Sequence, residues 1–223
     1  MSWQVYDYRK DVRNILVTPQ IRARILCLAP DDEPQERHMP WRQDDPHSHD
    51  LGHEIFLILS GRAEFKINGV AQEVGPGQMC YALVDEPHSV RVLGDEPVYM
   101  YLSVTPHIQP THTFFDDGQA LPPHFRPSSD YDVETDSSTP MTDHVDRYVD
   151  KSRALVAMAQ NCGSIQEQLS VALKKAVSEG DEKAAAQIRE NMWEPLLQTF
   201  KQVSELADEW NALAPRVADV ETR

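Results

Sequence analysis

Along the 223-residue chain, short apolar runs punctuated by turn residues give way near residue 140 to an apolar repeat of helical spacing. In the first half the runs are Ile21–Leu28, the stretch from Glu54 through Leu59, Ala63–Ile67, Cys80–Val84, Ser89–Val92 and Val98–Val104. Each has strand length and is bounded by turn signals, so the pattern predicts β-strands. Asn68-Gly69 separates Glu64–Ile67 from Val70–Val74. Both residues tolerate the positive φ of a type I′ turn, which predicts a two-residue hairpin there. Short antiparallel strands with regular turns predict a closed β-barrel or jelly roll over residues 1–106.

Residues 107–139 are rich in Pro, Asp, Ser and Thr, and Pro110, Pro122, Pro123 and Pro127 interrupt any regular element. The stretch reads as a linker, or as a flap whose Phe114, Phe115, Phe125 and Tyr131 supply apolar surface for packing over a barrel mouth. Residues 140–216 then read as helical. Thr139-Pro140 is a helix-start pair, Gly163 predicts a stop, Ser164-x-x-Glu167 predicts a capping box opening a new segment, and Gly180-Asp181 separates two segments. Pro195, lacking a backbone donor, predicts a kink or restart. Ile165, Leu169, Leu173 and Val177 form one amphipathic stripe; Ile188, Met192, Leu196 and Phe200, continued by Val203, Leu206, Trp210 and Leu213, form another. These stripes need burial, which predicts packing on the barrel or on another subunit, and hence a homodimer or higher oligomer.

Composition narrows the function classes. The hydrophobic fraction of 40% is ordinary, no window approaches the ~18 consecutive apolar residues of a membrane span, and Met1–Asp7 lacks the pattern of a signal peptide, so a cytoplasmic location is expected. Cys27, Cys80 and Cys162 are widely separated, without a CxxC pair, and read as small hydrophobic filler. With 21 basic against 36 acidic residues, a net charge of -15 repels phosphate backbones and anionic membranes, so neither nucleic acid nor membrane is an expected partner.

The candidate chemistry lies at His47, His49, Glu54 and His88. On a strand, His47 and His49 at i and i+2 share one face. Glu54 follows a short Gly-containing link, and His88 enters from a separate strand after the turn-forming Asp85-Glu86-Pro87. Three imidazoles and one carboxylate form a borderline donor set suited to Fe(II), Mn, Ni, Zn or Cu and poorly suited to Ca(II). Four protein ligands around a six-coordinate ion leave two positions for substrate or water. His53, beside Glu54, has the parity of the opposite face. His38, His107, His112, His124 and His144 lack comparable spacing and read as solvated or hydrogen-bonding side chains, with His107 or His112 within reach of a pocket rim. Strand position nominates Arg42, Tyr81 and Met100 as pocket-lining residues.

The stretch His47–Gly61 resembles the first motif of the cupin superfamily, Gly-x5-His-x-His-x(3,4)-Glu-x6-Gly, with Trp41 in place of the opening glycine. The second motif, Gly-x5-Pro-x-Gly-x2-His-x3-Asn, aligns with Gly77, Leu83, Asp85, His88 and Val92, so its first glycine and its histidine match and three positions differ. The resemblance covers residues 20–106. It implies a mainly β fold, the cupin double-stranded β-helix or jelly-roll barrel, here followed by an α-helical C-terminal region. It also implies one divalent transition metal, Fe(II) favoured, held by His47, His49, Glu54 and His88. The activity expected from it is a dioxygenase-like oxidoreductase acting on a small organic substrate, with Glu54 as the catalytic base. A metal-dependent isomerase or lyase and a non-catalytic metal or metabolite binder are the alternatives.

Overall fold

The computed structural model describes residues 4–30, 43, 45–131 and 138–221. Among the described residues eleven strands precede two long helices: β1 (Asn14–Thr18), β2 (Ile21–Leu28), β3 (His47–Ser48), β4 (His53–Ser60), β5 (Ala63–Ile67), β6 (Val70–Val74), β7 (Met79–Ala82), β8 (His88–Val92), β9 (Val98–Thr105), β10 (Thr113–Asp116), β11 (Gln119–Ala120), α1 (Met141–Glu179) and α2 (Glu182–Glu221). The strands form two antiparallel sheets, in the orders β1-β2-β9-β4-β7 and β11-β10-β3-β8-β5-β6. Leu26, Leu28, Phe56, Ile58, Met100 and Leu102 from the first sheet meet Phe65, Val74 and Val90 from the second in one buried cluster. This is a jelly-roll barrel, whose two sheets bury their alternating apolar faces against each other.

Local chemistry sets the corners. Asn68 and Gly69 have φ of 49° and 79°, and Ile67 pairs with Val70, the geometry of the expected two-residue hairpin. Gly61 has φ 77°, and a Cβ there would lie 2.5 Å from the Pro97 carbonyl oxygen and 2.9 Å from Val98 Cα. Only glycine fits this turn between β4 and β5.

Residues 107–139, expected to be a linker or flap, contain β10 and β11, and β10 pairs with β3 through Phe114 to His47 and Thr113 to Ser48. A four-residue strand carries almost no periodicity, and the open edge of β3 selects its conformation. Among the described residues β1 is an edge strand, paired to β2.

The helices correct the stop expected at Gly163, the capping box expected at Ser164 and the restart, one of two alternatives, at Pro195. α1 runs unbroken through Gly163 and Ser164; the Ser164 hydroxyl donates to the Gln160 carbonyl at 3.1 Å and caps nothing. One mid-helix glycine costs about 1 kcal/mol, less than a long helix gains by continuing. α2 does not restart at Pro195, since the proline forfeits one bond in a ladder of many. The break at Gly180-Asp181 is present: Gly180 is left-handed at φ 70°, its N–H meeting the Ala176 and Val177 carbonyls, and Asp181 Oδ1 accepts the Ala184 N–H at 2.9 Å.

The chain divides into two compact units, one comprising Met1–Thr135 with Ala214–Arg223, the other Asp136–Leu213. Within the second, α1 and α2 lie side by side and antiparallel. Gln166 Nε2 donates to the Met192 carbonyl at 2.7 Å, Lys151 pairs with Glu205 at 2.7 Å, and the Tyr148 and Trp210 rings stand 5.5 Å apart. Among the described residues, no helix is long and apolar enough to cross a membrane.

Candidate metal centre

Register brings the four nominated residues together. His47 on β3 is the cross-strand partner of His88 on β8, so both side chains emerge on one face. His49 follows β3, and Glu54 comes from β4 in the opposing sheet. All four are buried, and their ligand atoms lie within 4.8 Å of one another. Glu54 Oε2 stands 2.7 Å from His49 Nε2, 2.9 Å from His88 Nε2 and 3.8 Å from His47 Nε2. His53, one residue from Glu54, is exposed on the other face.

Backbone carbonyls fix two of the rings. His49 Nδ1 donates to the Thr111 carbonyl, and His88 Nδ1 donates to the Glu86 carbonyl at 2.8 Å. A neutral imidazole whose Nδ1 carries the proton turns the Nε2 lone pair the other way, here onto a carboxylate oxygen. Two acceptors at such distances repel unless positive charge, an extra proton on the imidazole or a metal ion, lies between them. The donor set therefore fits a divalent transition-metal ion, and the carbonyl partners are those that orient metal-binding imidazoles.

The same demand for positive charge appears in the proton affinities. Burial, the largest influence on Glu54, raises its pKa, yet the charge of His49 and the bonds from His47, His49 and His88 hold it well below the ordinary carboxylate value. Burial pulls His88 down, but its bond to Glu54, the Glu54 charge and the Glu86 carbonyl leave it raised. His47 is pushed down to about 4, chiefly by burial.

The turn ahead of His88 departs from the cupin motif in sequence and keeps its geometry. Asp85 occupies the place of the motif's second glycine and adopts φ 62°, a left-handed conformation that Asp tolerates better than most residues. Its N–H donates to the His49 carbonyl at 3.0 Å, tying this turn to the segment that leaves β3.

Other nominated residues fall elsewhere. Tyr81 pairs with Ile55, on the face opposite Glu54, and is 58% exposed. Met100 is sealed in the core cluster. Arg42 and His38 lie outside the described residues. His124 is exposed, and His144 is buried on α1, 3.7 Å from Glu209.

One histidine without informative spacing adjoins the centre. His112 is buried with its ring 4.7 Å from that of His49 and 5.0 Å from that of His47. It stacks on Phe114, with Nδ1 2.7 Å from Thr111 Oγ1. Burial first, then the proximity of His49, His47 and Arg22, depresses its pKa strongly. His107 is also buried, 5.2 Å from the Tyr131 ring. The pairing of β10 with β3 carries His112 to the centre, which no local pattern announces. A cavity of about 40 Å³ adjoins the group, lined by His47, Glu54, His88 and His112 and also by Arg22, Arg24 and Arg126.

Residues 33–105 match the family model described as a cupin domain. The chain carries a cupin domain. No curated protein matches the sequence. Among solved structures, a conserved protein with a double-stranded β-helix domain from Klebsiella pneumoniae is 20% identical, with 46% of this chain and 84% of that one covered and a TM-score of 0.39. TT1209 from Thermus thermophilus is 16% identical over 47% of this chain and 98% of its own, with a TM-score of 0.39. KdgF from Halomonas sp. is 18% identical over 44% and 78%, with a TM-score of 0.35.

Proposed function

We propose that the cupin barrel holds one divalent transition-metal ion through His47, His49, Glu54 and His88, and that the protein is a mononuclear metal enzyme acting on a small organic substrate. The observation that carries this reading is the convergence of two carbonyl-oriented imidazoles on Glu54 Oε2 at 2.7 and 2.9 Å. A bound divalent cation supplies Lewis acidity with positions to spare, and Fe(II), the favoured metal, adds reactivity toward O2.

The chain's own residues prepare the surroundings. Thr111 and Glu86 lock the orientation of His49 and His88, and burial keeps His112 neutral beside them. Glu54 keeps its charge at neutral pH, and on detaching from the metal it would serve as the base for a substrate proton. A dioxygenase-like reaction is the specific activity proposed, and the working assembly is a homodimer or higher oligomer.

Reconstitution with Fe(II), followed by a metabolite screen with and without O2, tests the reading. O2 uptake coupled to loss of a substrate is expected. Equal turnover of that substrate without O2 replaces the dioxygenase by an isomerase or lyase. Absence of metal after growth and reconstitution with Fe, Mn, Ni and Zn overturns the centre itself.

A further inference from the structure

The inward row of β2 begins with two charges. Side chains at i, i+2 and i+4 of a strand share a face, and Arg22, Arg24 and Leu26 all line the cavity beside the candidate metal centre. In the sheet, Arg22 pairs with Val104 and Val104 with Glu54. Arg22 and Glu54 thus stand in one register row on one face, two strand spacings or about 10 Å apart at their backbones.

Arg22 is only 6% exposed. Its Nε meets no hydrogen-bond acceptor among the described residues. Glu54 offers it long-range attraction but is engaged by His49 and His88. Arg126, 9% exposed, spends one nitrogen on Asp130 at 3.3 Å, while its Nε also lacks an acceptor. A guanidinium taken out of water without a matched anion is strongly disfavoured. A chain of net charge -15 with only 21 basic residues nevertheless places three arginines around one small interior space.

Leu26, Phe56, Val90 and Leu102 make the apolar part of the wall, which Tyr131 and Asp130 complete, the Asp130 carboxylate being turned to Arg126 at 3.3 Å. A volume of about 40 Å³ admits only a small group, since one water needs roughly 10–15 Å³. An inorganic oxyanion has nothing to place against the apolar wall. A short organic acid does.

We infer that Arg22, with Arg24 and Arg126 beside it, is a carboxylate subsite facing the four-residue metal group, and that the substrate is a short-chain carboxylic acid held by its carboxylate on Arg22 and by its carbon chain on Leu26 and Phe56. The planar fork of a guanidinium matches a carboxylate through two parallel N–H donors. This assignment deepens the metal-enzyme reading and rests on it for the word substrate; the anion subsite stands on the arginines alone.

Calorimetric titration of the full chain, metal-free and metal-loaded, with acetate, butyrate, lactate and inorganic phosphate tests it. Butyrate or lactate is expected to bind the metal-free protein, and Arg22→Gln to weaken that binding about tenfold or more while leaving metal content unchanged. No carboxylate binding at millimolar concentration, equal binding by Arg22→Gln, or tighter binding of phosphate than of any carboxylate overturns the subsite. Carboxylate binding that depends on Arg22 in a protein that takes up no metal upholds the subsite and removes the metal reading instead. If Arg22→Gln fails to fold, Arg22→Lys, which keeps the charge and loses the fork, carries the same comparison.

Discussion

Glu54 has three imidazole nitrogens around one carboxylate oxygen, so removing ligands should show directly in metal content. Changing His47 and His49 together to Ala is expected to reduce metal from near stoichiometric to background by elemental analysis; unchanged content would refute the assignment. Outside the ligand set, His107 gives the pH dependence its clearest sign. Burial, helped by Arg22, His49 and Arg126, pushes its pKa down to about 3, whereas an unfolded histidine titrates near ~6.5. Below that value the unfolded chain takes up a proton that the folded barrel refuses. The group therefore costs stability as pH falls, about 1.4 kcal/mol by pH 5.5, and nothing well above pH 6.5. His47 and His112, also depressed, act in the same sense. His88, raised, opposes them with a contribution that is full in acid and lost as pH rises through its folded pKa. Three groups against one predict that the metal-free protein melts lower at pH 5.5 than at pH 7.5, and that His107→Gln narrows the gap. A gap unchanged by that substitution would contradict the account.

Elements show why some features could be read in advance and others not. Strands with five to eight alternating residues, such as β4 and β9, and the Asn68-Gly69 hairpin carry their own periodicity and turn chemistry, and so do the ligand spacings from His47 to His88. β10 does not: its four residues become a strand because β3 offers an edge, and His112 arrives at the centre with them. The arginines of β2 were hidden by ambiguity of parity, since Ala23 and Ile25 on its other face are buried too, and an apolar parity is the default choice for the interior. Gly163 misled in the opposite direction, a local breaker overruled by a 39-residue helix. It is exposed, and a Cβ there would meet nothing within 4 Å, so Gly163→Ala should stabilise the chain by about 0.5–1 kcal/mol, raising Tm by about 2–4 °C. Gly61→Ala should do the reverse. Its left-handed φ and the 2.5 Å approach to Pro97 predict a loss of about 2 kcal/mol or more, seen as a lower denaturation midpoint. A stabilised Gly61→Ala would show that the β4–β5 turn is held otherwise.

For the whole molecule, charge and apolar surface pull in opposite directions. Two antiparallel helices can cover only the faces they turn to each other, and α2 leaves Trp193 at 52%, Leu196 at 36%, Phe200 at 56% and Val203 at 44% exposure. Their three- and four-residue spacing makes one stripe, and stripes of this kind on soluble proteins mark protein contacts. A second copy of the chain is the proposed occupant, yet two copies each carrying -15 repel. Salt screens that repulsion, with a Debye length of ~10 Å at 0.1 M, while leaving the burial of Trp193 and Phe200 intact. Light scattering on the full chain is thus expected to report a dimer or larger species whose association tightens as salt is added. Trp193→Asp with Phe200→Asp should give a monomer of unchanged helix content by circular dichroism. A full-length monomer at every salt concentration, or a double variant that still associates, would show that this face is not where copies of the chain meet.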